Sequence, residues 1–205
     1  MRDKLEILHF HNQLKYRYIL MDKWFASIEN LVFIDDILKK KFVCPLKKNR
    51  KVALSREDKD NGKYVSITTV DMGDCSSRLV YLEGYENTVK IIKQVSKDGD
   101  NDESIYLYLV TNDIDLTTNK ILEIYKRRWK IEEYHKSLKQ NLKIEHSPTK
   151  VETSQLNHIF LSVCGFIKLE RLRLNYRMNH FAIKEKIYIK ALKAAYQKVG
   201  ELECA

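Results

Sequence analysis

Glycine and proline are scarce in this chain, six and two in 205 residues. That scarcity excludes collagen-like repeats, flexible linkers and low-complexity disorder. No apolar run approaches the roughly 20 residues that cross a bilayer as a helix, and the amino terminus, MRDKLEILHFHNQ, carries charges where a signal peptide is apolar. A cytoplasmic protein with no membrane partner is therefore expected. Cysteine is also sparse. Cys44, Cys75, Cys164 and Cys204 stand far apart with no C-x-x-C pair, which fits reduced thiols better than a disulfide frame or a zinc site. What remains is the composition of a globular protein, 44% hydrophobic and 32% charged, long enough to bury one sizeable core.

The formal net charge is +9 and it is unevenly placed. Residues 1–115 hold 19 Lys/Arg against 19 Asp/Glu, and residues 116–205 hold 18 against 9. A basic half of this kind attracts a polyanion, with salt-dependent binding, or simply keeps the surface soluble.

Along the chain, KYRYILMD (15–22) reads as a buried strand stopping at Asp22, and residues 4–14 as the tail of a helix. Ser27 is placed to cap a helix whose Leu31, Ile34 and Leu38 recur at helical intervals. FVCPLK (42–47) is a second strand. A β-rich stretch follows: YVSITTVD, RLVYLEGYE, then a hairpin of TVKIIKQVS and SIYLYLVT around Asp98-Gly99-Asp100-Asn101-Asp102. The acidic run from Asp98 to Glu103 lacks EF-hand spacing and reads as a solvated turn. From Leu116 the period becomes helical, over residues 117–142, 154–174 and 181–198, with Pro148 in the first break. The pattern predicts an α/β layer with a β-rich insertion, in segments 1–50, 51–104, 105–175 and a helical tail 176–205.

The densest signal is ILEIYKRRWKIEEYHKSLKQNL, residues 121–142. At about 100° per residue, Tyr125, Arg128, Glu132 and Lys139 share one face beside an apolar stripe of Ile124, Ile131 and Leu138. A carboxylate held at the edge of a core suits a divalent cation, and its basic neighbours suit phosphates. An amphipathic helix with i,i+4 ion pairs such as Arg128 with Glu132 accounts for the same spacing. His135 reads as an exposed helix histidine. Trp24 and Trp129 read as packing beside the acids, with base stacking as the alternative. The run Lys47, Lys48, Arg50 and Lys51 is either a DNA contact or a charged turn. Leu156, Ile159, Phe160, Val163, Ile167 and Leu174 form a packing face on the second long helix.

The string Tyr125-x2-Arg128-x3-Glu132-x6-Lys139, with Arg128-Trp129-x-Ile131-Glu132 at its centre, resembles the Tyr-Arg-Glu-Lys signature of DDE transposases of insertion-sequence family four. MDKWFASIENLVFI (21–34) with FVCPLKKNRKVALS (42–55) is similar to the stretch around the second catalytic Asp of that family, and the likeness runs from about residue 12 to about residue 175. It implies an RNase H-like α/β core with a β-rich insertion and C-terminal helices, and two Mg²⁺ or Mn²⁺ ions held by two Asp and one Glu. By motif matching, Asp22 is the second Asp and Glu132 the Glu, both metal-binding and catalytic, while Tyr125, Arg128, Lys139 and Trp129 contact DNA. The implied partners are double-stranded DNA at transposon ends and targets, with self-association or pairing with a full-length transposase, in the cytoplasm at the nucleoid.

The family's first Asp lies on a strand well upstream of the second, and only 21 residues precede Asp22 here. The resemblance therefore implies a transposase without its N-terminal domain, first strands and first Asp, inactive alone; the alternative is a non-catalytic DNA-binding or interfering partner of a full-length transposase. Asp113, closing the apolar strand YLYLVTND, is a candidate for a third acid, although a cap on the following loop is its commoner use.

Overall fold

The computed structural model describes residues 1–72, 76–97 and 104–203. It divides into two units, Met1–Arg128 and Trp129–Ala205.

The first unit is built on a seven-stranded sheet in the order β1-β2-β7-β6-β5-β3-β4. β1 (Tyr18–Leu20) lies parallel to β2 (Lys41–Leu46); β7 (Ser104–Thr111), β6 (Thr88–Lys97), β5 (Ser77–Leu82), β3 (Lys51–Ala53) and β4 (Val65–Ser66) follow antiparallel. Strands from the expected insertion thus hydrogen-bond into the same sheet as β1 and β2. The parallel step from β1 to β2 is made by α2 (Ile28–Val32), which runs on into a π-helical turn at Phe33–Ile37. Ser27 caps α2 as expected, its hydroxyl accepting from the Asn30 amide at 3.3 Å.

Both faces of the sheet are covered, and the two-residue period of a strand sorts the side chains between them. Phe42 and Cys44 of β2, Ile91 of β6 and Val110 of β7 join Leu31, Ile34 and Tyr85 in the larger core. Their neighbours Val43, Ile92 and Leu109 point the other way, against Ile121 and Ile124 of α4 (Thr118–Lys126), with Tyr18, Leu20 and Tyr125 packed around them. The amide of Met21 donates to the Val43 carbonyl, so β2 turns the backbone of residue 43, and with it residue 45, toward β1. Residue 45 is a proline with no N–H to give. The pairing register ends at Leu20 with Val43, and the chain turns away at Asp22.

Several sequence expectations shift. YVSITTVD contributes only the two-residue β4 and a 3₁₀ turn at Ile67–Thr69, and the short helix α3 (Arg56–Asp60), capped by Ser55, was not foreseen. The 117–142 helix is interrupted by a 3₁₀ turn at Arg127–Trp129, between α4 and α5 (Lys130–Gln140). The β6–β7 hairpin forms as expected, while its turn, Asp98 to Asp102, lies outside the described residues.

The second unit holds α5, α6 (Glu152–Tyr176) and α7 (His180–Glu203). Leu156, Ile159, Phe160, Ile167 and Leu174, expected as a packing face of α6, are exposed. α6 has Ser162 and Leu169 as its buried residues. Among the described residues, no helix is long and apolar enough to cross a membrane.

Candidate functional site

Asp22 leaves β1 two residues after the last strand position, half-buried, with its Oδ1 accepting from the Lys23 amide at 2.5 Å. Continuing the alternation of Tyr18 and Leu20 places it on the α4 side of the sheet. α4 is docked there by buried Ile121 and Ile124, which leaves Tyr125 at the edge of that contact. The Tyr125 hydroxyl has its pKa raised, chiefly by burial; Arg128 opposes the shift by charge and hydrogen bonding, and the negative charge of Asp22 adds to it. The Arg128 guanidinium lies 5.6 Å from the Tyr125 ring centroid. Asp22, Tyr125 and Arg128 are thus electrostatic neighbours within the first unit.

Asp113 does not join them. β7 runs antiparallel to β2, and with Thr111 opposite Val43 and Val43 opposite Leu20, residue 113 falls level with Tyr18, four positions from Asp22, or about 13 Å along a strand. Its carboxylate is instead taken by the Tyr18 hydroxyl at 2.6 Å and by Arg17 at 3.2 Å. The Asp113 carbonyl accepts from Leu116, and Thr117 caps α4.

Glu132, Trp129 and Lys139 belong to the second unit. Glu132 is half-buried in the first turn of α5, and Lys139 pairs with Glu145 at 2.6 Å. Of the expected apolar stripe, Leu138 is buried and Ile131 is 51% exposed. The 3₁₀ turn accounts for this: a tighter turn rotates each residue by about 120° and breaks the register across 127–129. His135 is exposed as expected.

The tryptophans overturn the packing expectation: Trp24 is 72% and Trp129 61% exposed. Trp24 follows Asp22 in a tight turn closed by the Phe25 amide donating to the Asp22 carbonyl, and Lys47 Nζ sits 4.9 Å from its ring centroid. Of the basic run, Arg50 is structural, donating to the Ala26 carbonyl at 2.7 Å, while Lys47 and Lys48 are exposed. Sequence reasoning passed over Asp35, which accepts from Tyr85, Asn87 and Asn112 and ties the π-helical turn to the sheet. Its signal was present in the paired Asp35-Asp36 inside an otherwise apolar helix.

Among the described residues, no group of three or more His, Cys, Asp or Glu side chains is arranged to hold a metal ion.

No curated protein matches the chain. A family described as Transposase DDE domain, whose members generally use divalent metal ions, matches residues 1–165, well over half of the sequence. A sheet buried on both faces, an acid just past the end of its first strand, and a tyrosine of α4 with an arginine of the following 3₁₀ turn near that acid accompany that match, and the chain belongs to the DDE transposase domain family.

Proposed function

We propose that this chain is the DNA-binding component of an insertion-sequence transposase of the family-four type, acting on double-stranded DNA, with an RNase H-like core in which Asp22 and Glu132 are two of the metal-binding carboxylates. Tyr125, Arg128, Trp129 and Lys139 are its DNA contacts, and Mg²⁺ or Mn²⁺ its cofactor. The observation that carries the reading is the grouping of Asp22 with Tyr125 and Arg128 at the end of β1. A guanidinium beside a tyrosine ring is held in place by the ring, and its planar fork suits a phosphate.

With two carboxylates the chain is proposed to bind DNA without cutting it alone, and to cut when a partner transposase chain completes the acid set. A non-catalytic chain that pairs with a full-length transposase and interferes with it is the second reading. The test is a duplex-binding titration across salt, with nicking followed in Mg²⁺ or Mn²⁺, for wild type and Glu132→Ala. The expected result is salt-dependent binding, equal in both proteins. Nicking in the presence of a partner chain that is lost in Glu132→Ala supports the catalytic reading; binding that never yields a nick supports the interfering one. Equal loss of affinity and folding in Glu132→Ala would make Glu132 structural.

A further inference from the structure

Behind Glu132, the second unit contains a hydrogen-bond chain that DNA contact does not use. Asn141 Nδ2 donates to Ser137 Oγ at 3.1 Å, Ser137 Oγ lies 2.9 Å from His180 Nδ1, and His180 Nε2 lies 2.9 Å from Glu170 Oε2. Arg173 clasps the far end, with Nε 2.9 Å from both Glu170 oxygens and Nη2 2.5 Å from one of them. Ser137, Asn141 and His180 are buried. The chain crosses three elements: α5 and its C-cap supply Ser137 and Asn141, α6 supplies Glu170 and Arg173, and His180 is the first residue of α7.

The order of donors follows from the chemistry of each group. An amide nitrogen only donates, so Ser137 Oγ accepts from Asn141, and a carboxylate only accepts, so His180 Nε2 donates to Glu170. Glu170 has its pKa held below the usual carboxylate range, chiefly by hydrogen bonding from Arg173, against the opposing effect of burial; His180 lowers it further. The ring is also fixed sideways. Phe166 meets it edge-on at 5.2 Å, and Tyr134 of α5 meets Phe166 edge-on at 4.7 Å. Arg177 takes a left-handed φ of 52° at the end of α6, and Asn179 caps α7 through the Ala182 amide at 2.9 Å. That reversal returns the imidazole to Glu170, ten residues earlier in the chain.

We propose that His180 is a positioning residue: through Ser137 it locks α5 to α6 and so fixes the helix on which Glu132 stands, about one and a half turns away. The proposal rests on the reading of Glu132 as a transposase carboxylate only for its functional meaning. The lock itself is tested without DNA. Amide hydrogen exchange is measured on the full chain for wild type, His180→Phe, which keeps an aromatic ring but no nitrogen, and Ser137→Ala. Exchange of the α5 amides from Glu132 to Leu138 is expected to rise about tenfold in both variants, the effect of one lost buried hydrogen bond, while β6 and β7 stay unchanged. Should His180→Phe lose protection throughout residues 129–203, Ser137→Ala decides, since it removes one oxygen and no packing ring. Imidazole NMR supplies the second readout: a His180 Nε2–H held in slow exchange with water in wild type, and exchanging faster in Ser137→Ala. Unchanged α5 exchange in Ser137→Ala, or a His180 Nε2–H that exchanges freely in wild type, overturns the lock. Failure of the transposase reading would show separately, as absent DNA binding with the exchange pattern intact.

Discussion

Asp35→Ala is expected to be among the most damaging single changes in the first unit. The Asp35 carboxylate accepts from the Tyr85 hydroxyl, from Asn87 at 3.0 Å and from Asn112 at 2.7 Å. Asn87 is exposed and finds water, and Asn112 keeps a second acceptor in the Lys40 carbonyl at 3.1 Å. Tyr85, at 1% exposure, is shut away from water and loses its charged acceptor, with the Asn87 side chain left beside it. An orphaned buried hydroxyl costs about 1–3 kcal/mol, and a lost hydrogen bond to a charged acceptor about 1.5–3 kcal/mol, so a loss of roughly 3 kcal/mol is expected. With a urea m-value of about 1–3 kcal/mol/M, the unfolding midpoint falls by about 1 M or more. Asp35→Asn keeps one acceptor and should lose less. The Asp35 pKa reflects burial raising it, outweighed by hydrogen bonds from Tyr85, Asn87 and Asn112 and the charge of Lys41, for a net lowering. A depressed carboxylate stabilises the fold fully above its unfolded pKa and loses that contribution as pH falls through the folded value. The wild-type advantage over Asp35→Asn should therefore hold at pH 7 and shrink below about pH 4. A loss under about 1 kcal/mol for Asp35→Ala, or an advantage that stays flat from neutral pH to about pH 3, would refute the argument.

Other expectations can be checked independently. Arg128→Ala should weaken DNA binding across all sequences and lower the salt slope by about one; fluorescence anisotropy at several salt concentrations measures this, and an unchanged slope removes Arg128 from the DNA face. Cys44 is fully buried with its thiol pushed up to about 12 by burial, so peptide-resolved alkylation near pH 8 should modify Cys164 first and reach Cys44 only on unfolding. Labelling of native Cys44 at the rate of Cys164 would contradict its placement. Gly84 has φ of +79° in the turn between β5 and β6, so Gly84→Ala should cost about 1–2 kcal/mol in thermal or urea unfolding. Duplex DNA should quench tryptophan emission through the exposed rings of Trp24 and Trp129; quenching unchanged in Trp24→Phe would assign the signal to Trp129.

The strands running toward Asp22 and Thr111 were legible because a strand buried on both faces is a short apolar run, and the hairpin because its two runs flank the sequence Gly99-Asp100-Asn101. The side on which Asp113 would fall was not. Whether β7 lies parallel or antiparallel to β1 is decided by pairing across some ninety residues, which no local pattern records, and that choice removed Asp113 from the neighbourhood of Asp22. The break at Arg127–Trp129 was also hidden, since Arg and Trp there carry no helix-stopping chemistry and the apolar period resumes after it. Ile131 was misjudged for that reason. Ser137 and His180 stood 43 residues apart with nothing in the spacing to join them; only the reversal at Arg177 brings the imidazole back.

One feature of the sheet bears on how the first unit yields to force or protease. β5 accompanies β6 only to Ile92, and β2 accompanies β7 only from Tyr108 onward, so residues 94–97 and 104–107 pair with each other alone. A two-stranded ribbon without a third neighbour is marginal in water. Such a ribbon opens at less cost than the strands beneath it, where Ile91, Leu109 and Val110 are closed in the cores. Nicks and insertions accepted there leave the β1–β2 pairing next to Asp22 untouched, which makes this ribbon the place to graft a tag or a fluorophore.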